Sequence, residues 1–547
     1  MKRAFTIFAM LLFASLLQAS PLWSQEVRDP VKVAAELDRV IDSKLREAKI
    51  PASSLSDDAT FLRRVSLDLS GRLPTPAQAA DFLDSKDGQK RQQLLENLLK
   101  QPEYGKRFAR YWIELLAKRN DMQNAFPGFF EKWLAEEFNQ GKGWDHIVRE
   151  MVLAKDNTPQ TYFLMTNVER DISPSRTTSS VGALFLGQQL QCAECHRHPS
   201  NRAWKREDFW GLAAFFGRTK LENSKEKGKQ GRMIVDVDVS PLEKGPKVDP
   251  KTPKDKRPVR NLLPAGTLEI PDANDNAIAV GLATAKYLEG DKAKLGDKGS
   301  YREPYAAWLT SPKNPYFARA AVNRLWAYFF ARGFVNPLDA MEPDNAASHP
   351  EAIDLLTKEF IASGFDYRHV IRCICSTQAY QRSSQAVKGN ESDQNLFSHM
   401  PVRVVSGPHL LELYEQVLGK YKGPQEKSSK GRKGAVPLDK QSTDVLVDTA
   451  GYDERPDEYT LGITQALRLM NRYLPERQQA FVAELVKSGK SQDEIVEQLY
   501  LKMYSRRPTA TERADIRAFL QQQGEPARGY AGLVWVLLNS PEFMAIP

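Results

Sequence analysis

Asp57-Asp-Ala-Thr-Phe-Leu-Arg-Arg-Val-Ser-Leu-Asp-Leu-Ser-Gly-Arg-Leu-Pro-Thr-Pro76 decides the fold class. Phe61, Leu62, Val65, Leu67 and Leu69 recur at helical spacing, with Asp57 and Asp58 as N-cap candidates and Gly71 to close the helix. A second helix opens at once. Thr75 caps it and Pro76 takes its first position, where a missing N–H removes no intrahelical bond. Upstream, Val33, Leu37, Val40, Ile41 and Leu45 share one face of a helix expected from Pro30 to Ile50, stopped by Pro51. Downstream, helical patterns cover 89–100, 103–118, 127–139 and 144–153, with Trp112, Trp133 and Trp144 on apolar faces as core residues. The stretch 156–178, rich in Thr, Ser, Asn and Pro, reads as a loop leading into Val181–Leu190. The expected fold is mainly α.

At 547 residues the chain has room for two or three domains. Its 41% hydrophobic and 10% aromatic content is that of a globular protein. The formal charge of +8 is inflated by lysine clusters in one segment, so it does not argue for nucleic acid as a partner. That segment, 220–299, is rich in Lys, Asp, Pro and Gly, most of all over Lys244–Lys256. Within it Ile234–Val239 alternates as an exposed strand, with Asp236 and Asp238 on one face, either as a solvated edge or as calcium ligands. The expected organisation is therefore two helical domains, 30–219 and 300–547, joined by a Lys/Pro-rich linker with a small β element.

Residues 1–25 carry an address. Lys2 and Arg3 precede an uncharged, mostly apolar run from Ala4 to Leu17, and Ala19, Ser20 and Ser24 offer small residues for cleavage. The pattern is that of a secretory signal peptide, so the chain is expected to be exported to the periplasm or beyond the cell. No later stretch approaches 18 uninterrupted apolar residues, and no membrane span is expected in the mature chain.

The motif with chemical content is Cys192-Ala-Glu-Cys-His196, inside Phe185–Pro199. Two thiols three positions apart can add to the two vinyl groups of one porphyrin, and the adjoining His can ligate the iron, which makes this the attachment pattern of haem c. With four Cys and seven His in the chain, the pattern rarely arises by chance. Other readings stay open. Cys192 and Cys195 can form a disulfide or a redox pair, and with His198 and His196 they make an S2N2 set for zinc. If the motif is helical, His198 faces away from an iron held by His196, and orienting the loop before Pro199 is its natural role.

Several stretches, taken in order, resemble the planctomycete cytochrome-associated family, exported proteins that pair two domains of unknown function. The opening signature is Phe61–Pro76, and Phe185-Leu-Gly, Cys192–Pro199 and Asp208–Phe216 are similar to the end of the first domain. Ser200 and Asn201 stand where the family has an aromatic and an acidic residue. Ala306–Pro312, Asn314–Trp326, Phe329–Val335, Ser348–Ile353, Gly364–Tyr367, Ser376–Arg382 and Leu533–Phe543 are similar to the second domain, with Ala346 and Ala347 in place of prolines. The resemblance implies an N-terminal cytochrome-like domain and a C-terminal helical one, over roughly 55–217 and 300–545.

The second stretch adds polar candidates. Arg319 and Asn323 are four apart on a helix, with Arg324 beside them and Asn314, Ser348 and His349 nearby. They form either an anion- or sugar-binding surface or a set of buried ties between helices. Cys373-Ile-Cys375 lies in an apolar helical pattern and reads as buried free thiols. For a sixth iron ligand the chain offers Met233, Met341, Met400, His349, His399 and His409. No nucleophile elbow, Walker loop or His-Glu-x-x-His occurs. The leading expectation is an exported protein binding covalent haem, held by Cys192, Cys195 and His196, that serves electron transfer or haem redox chemistry on an unknown redox or extracytoplasmic partner. The alternative is a non-enzymatic binding or scaffold protein, without haem, whose Cys/His loop is a zinc or disulfide staple.

Overall fold

A computed structural model describes residues 27–117, 127–169, 171–223, 232–237, 264–272, 279–296, 298–419 and 475–547. The expected signal segment 1–25, Asp238 and the lysine-rich run Lys244–Lys256 lie outside them. The described chain is mainly α. Its strands form two-stranded antiparallel ribbons, Thr219–Asn223 with Arg232–Asp236, Thr267–Pro271 with Ala279–Thr284, and Arg403–Val404 with Ala545–Ile546.

Local rules account for the helices. The Asp57 carboxylate accepts the Thr60 N–H at 2.7 Å and starts Asp58–Ser70, and Gly71 ends it at φ 65°, where a side chain would be strained. Thr75 and Gln78 form a capping box for Pro76–Asp84. Lys90–Lys100, Pro102–Ala117, Pro127–Asn139 and Trp144–Leu153 follow the sequence pattern closely. Two stretches differ. The first helix stops at Ala48 because Lys49 turns left-handed and returns its N–H to the Leu45 and Arg46 carbonyls, closing the helix ahead of Pro51. A helix, Pro174–Val181, opens inside the stretch expected to be loop, because the Ser173 hydroxyl accepts the Arg176 N–H at 3.3 Å and Pro174 supplies the first position.

One apolar core runs from Val33 to Met400 and draws on both the 30–219 and the 300–547 stretches. At its centre Trp112 stacks on Trp144 with centroids 4.3 Å apart, and Phe185 lies 6.0 Å from each. A second core gathers Val405 to Ile546 around Leu67 and Leu73. The helix Asp58–Ser70 is the hub between them and is buried on all sides from Phe61 to Ser70. Its charged residues survive burial by finding partners. Arg63 donates to the carbonyls of Met503 at 2.7 Å and Phe543 at 2.8 Å, and Arg64 to those of Tyr380, Arg382 and Pro547. Asp68 takes both arms of Arg403 at 2.8 and 2.9 Å and the Tyr380 hydroxyl at 2.7 Å. Burial pushes the Arg63 and Arg64 guanidinium groups down to about 10, so both stay charged at neutral pH.

Candidate functional site

The helix Pro174–Val181 runs into a π-helical turn, Gly182–Leu186, that ends at Gly187 with φ 66°. A Cβ at Gly187 would stand 2.6 Å from Met341 Sδ, so only glycine lets the backbone pass here. The Met341 N–H donates to the Gly187 carbonyl at 2.9 Å. Gln188 Nε2 donates to the Met341 carbonyl at 3.0 Å, and Gln189 Nε2 to Asp339 Oδ1 at 3.1 Å. The backbone that presents the Cys-x-x-Cys-His motif is thus fastened to a loop of the second stretch. Sequence reading does not find Asp339 or Glu342, which are remote from the motif in the chain and carry no local signature.

Leu190–Ala193 is a 3-10 turn whose Leu190 and Ala193 are buried. Arg206 Nε and Trp210 Nε1 both donate to the Glu194 carbonyl at 3.0 Å, and the Ser175 hydroxyl donates to the Glu194 carboxylate at 2.6 Å. These contacts hold the peptide between the two cysteines. Cys192 and Cys195 are free thiols, the first half-buried and the second exposed. Burial pushes the Cys192 thiol up, and the carboxylates of Glu342 and Asp339 add to the rise.

His196 is exposed, and its Nδ1 lies 2.7 Å from the Arg197 carbonyl. A carbonyl only accepts, so Nδ1 donates, and Nε2 is the ring nitrogen with no protein partner among the described residues. His198 is buried and has the opposite tautomer. Its Nδ1 accepts the Asn201 N–H at 3.0 Å, and its Nε2–H faces the Gln189 carbonyl and Glu342 Oε1, each at 3.2 Å. Both ring nitrogens are committed to the protein, so His198 does not join Cys192, Cys195 and His196 as a four-ligand set. Among the described residues no three His, Cys, Asp or Glu side chains form a metal-holding group. The helical argument for His198 is also corrected, since the motif lies on a 3-10 turn followed by bends. What removes His198 from an iron is its hydrogen bonding.

The polar residues of the second stretch separate. Arg319 pairs with Asp354 near the surface. Asn323 is buried and exchanges two hydrogen bonds with the Val335 backbone, at 2.9 and 3.0 Å. Arg324 donates to the Ala183 carbonyl at 2.9 Å, inside the π-helical turn, with its guanidinium 6.0 Å from the Trp112 ring. Asn314 Oδ1 accepts the N–H groups of Tyr316 and Phe317 at 2.9 and 3.1 Å and opens the helix Phe317–Phe330. His349 is buried against Phe334 and Phe397, and burial pushes its imidazole down to about 4. The four residues Arg319, Asn323, Arg324 and His349 do not share a surface, and Arg324 reaches the motif by holding up its approach.

Of the sixth-ligand candidates, Met341 sits at the base of the motif, while Met400 is in the core and His409 Nε2 is bonded to the Gly71 carbonyl at 2.7 Å. Cys373 and Cys375 are buried free thiols, Cys373 pushed up to about 12 by burial. Asp236 is held by Arg302 at 3.0 Å and Lys155 at 3.3 Å, which leaves it no role toward calcium. No helix among the described residues is long and apolar enough to cross a membrane.

Comparison with known families matches two segments of the chain, both of which contribute to the shared core. Residues 36–221 match the family described as PSCyt2, a protein of unknown function (DUF1549), and residues 301–520 match PSD1, a protein of unknown function (DUF1553). No curated protein and no solved structure matches the chain.

Proposed function

We propose that this chain, which pairs two domains of unknown function, is an exported c-type haem protein of the planctomycete cytochrome-associated kind. Cys192 and Cys195 would hold the porphyrin through thioether bonds and His196 Nε2 would ligate the iron. The observation that carries the reading is the contact of His196 Nδ1 with the Arg197 carbonyl. The ring's Nδ1–H donates to the Arg197 carbonyl at 2.7 Å, which leaves Nε2 as the nitrogen without a protein partner among the described residues, on an exposed ring beside two free thiols. A proximal histidine needs that arrangement, with the second nitrogen bonded to an acceptor that fixes the ring and raises its basicity. The committed nitrogens of His198 count against the four-ligand zinc reading of the same loop.

When bound, haem would supply one-electron redox chemistry. The chain's own part is to hold the motif loop against the Asp339–Glu342 segment, which keeps His196 at a fixed place on the surface. Electron exchange with an extracytoplasmic partner suits a ligand at so exposed a position. The basic signal-like segment at residues 1–25 supports export, which covalent haem attachment of this kind requires in bacteria.

The test is a reduced-minus-oxidised visible spectrum and a denaturing haem stain on protein exported from a host with haem-attachment machinery. A Cys192→Ala/Cys195→Ala protein serves as control. Haem that survives denaturation in the first and is missing from the second is the expected result. A colourless protein, from cells that mature a control cytochrome normally, would overturn the reading. Zinc or a disulfide found in that sample would establish the staple of a scaffold protein instead.

A further inference from the structure

We infer that Arg218 holds a small oxyanion, a phosphate- or sulfate-like group, at the start of the strand Thr219–Asn223 and apart from the Cys-x-x-Cys-His loop. Six arginines are buried among the described residues. The protein meets five of them. Arg63, Arg64 and Arg324 donate to backbone carbonyls, Arg302 reaches Asp236 and Arg382 reaches Asp42. Arg218 is the sixth, 6% exposed, and its side chain makes no hydrogen bond or ion pair among the described residues. Its Nη1 is buried without an acceptor. What the guanidinium does meet is the ring of Tyr301, 4.2 Å away. A ring face attracts the charge but does not replace the acceptors that five N–H groups need.

A buried charge without a partner is costly, and the protein offers Arg218 little relief. The carboxylate on the paired strand is already committed. Asp236 Oδ1 accepts the hydroxyl of Thr219, the residue after Arg218, at 3.3 Å, and the same carboxylate is shared by Arg302 at 3.0 Å and Lys155 at 3.3 Å. Tyr301, under the guanidinium, precedes the helix Arg302–Leu309, whose first N–H groups have no side-chain cap. The place is therefore rich in donors and short of acceptors, which suits an anion. A guanidinium presents a planar fork that fits two oxygens of one oxyanion, and phosphate and sulfate supply the matching charge. With so little of the side chain exposed, a small ion or the end of an ester can reach it and a protein surface cannot. The intrachain rival is Asp238, which lies outside the described residues and is tested directly. The inference does not depend on the haem reading.

The test is isothermal titration calorimetry of the full exported chain with inorganic phosphate, at fixed ionic strength in a chloride buffer. The expected result is one phosphate per chain, bound about tenfold or more weakly by Arg218→Gln. Arg218→Lys keeps the charge without the fork and should also bind more weakly, while Arg528→Gln, at an exposed arginine of the helix Pro526–Leu538, should match wild type. Sulfate should compete with phosphate. Methyl phosphate separates the two sources, since equal binding places the group at the end of an ester and exclusion leaves the free ion. Urea unfolding guards against misfolding. Arg218→Met, which deletes the unpaired charge, should keep the wild-type midpoint without phosphate, and phosphate should raise the midpoint of wild type alone. A wild-type chain that takes no phosphate, or binding that survives Arg218→Gln, would overturn the inference. So would phosphate binding that appears only in Asp238→Asn, which would assign Arg218 to that carboxylate. An Arg218→Met midpoint well below wild type in phosphate-free buffer would overturn it too, because the guanidinium would then be held by the protein itself.

Discussion

His198 Nε2 lies 3.2 Å from Glu342 Oε1 in the interior of the protein, and this contact joins the Cys-x-x-Cys-His loop to a loop of the second stretch. Both residues are buried, and the His198 ring, already held by Asn201 and Gln189, is brought up against the Glu342 carboxylate. The motif is therefore shaped by residues that belong to a different family segment from its own.

Removing the ring should be costly. His198→Ala leaves the Asn201 N–H and the Gln189 carbonyl without the ring that pairs them, a loss of about 1–3 kcal/mol. Glu342→Gln keeps an acceptor oxygen in the same place and should cost much less. Urea unfolding of the two variants checks the order, and a His198→Ala midpoint equal to wild type would refute it.

The Gly187–Met341 contact has two separable components. Gly187→Ala adds a Cβ where Met341 Sδ would be 2.6 Å away, and it also places a side chain at φ 66°. Met341→Ala should relieve the clash in the double variant but leave the backbone strain of about 1 kcal/mol. A double-mutant cycle on thermal unfolding measures the coupling. Additive effects would show that the two groups do not meet.

Asp68 and Arg403 form a buried bidentate pair that also holds the Tyr380 hydroxyl. Asp68→Ala should destabilise by about 3–5 kcal/mol, because it strands a buried guanidinium. Asp68→Ala/Arg403→Met, which removes both charges, should recover a substantial part of that. If the double variant is no more stable than the single one, the stranded charge is not the cause.

Acid should weaken the fold through buried neutral histidines. Burial holds His349 down to about 4 and His409 well below its ordinary value, whereas in the unfolded chain both titrate near 6.5. The unfolded state then binds more protons between those values, so stability falls as pH is lowered from about 6.5 toward 4 and is fully present above it. Unfolding midpoints at pH 7 and pH 5 measure the drop. His349→Phe, which suits a cage of Phe334 and Phe397, should flatten it. An unchanged pH dependence in that variant would show that His349 carries none of the effect.

Much of this was legible in the chain before folding was considered. Asp57, Gly71, Thr75 and Pro76 mark helix boundaries because capping is settled within a few residues, and the apolar spacing of Val33 to Leu45 places one face in the core for the same reason. Pro174–Val181 does not read as a helix in sequence although Ser173-Pro174 is a cap and first-position pair, since a run of Ser and Thr reads as loop by composition.

The chemistry of the motif divides along the same line. Adjacency alone identifies Cys192, Cys195 and His196 as a set, because two thiols and an imidazole within five residues are together in any fold. The fates of His198, Arg324 and His349 were open in sequence and were decided by tertiary structure. His198 is turned inward by Asn201, Gln189 and Glu342, and Arg324 is drawn to Ala183 by a carbonyl in the π-helical turn. A single shared core from Val33 to Met400 brings these groups together, and no local pattern announces which distant residue will meet which. Capping and periodicity act over one helical turn, whereas the partners of a buried polar group are chosen by how whole helices pack.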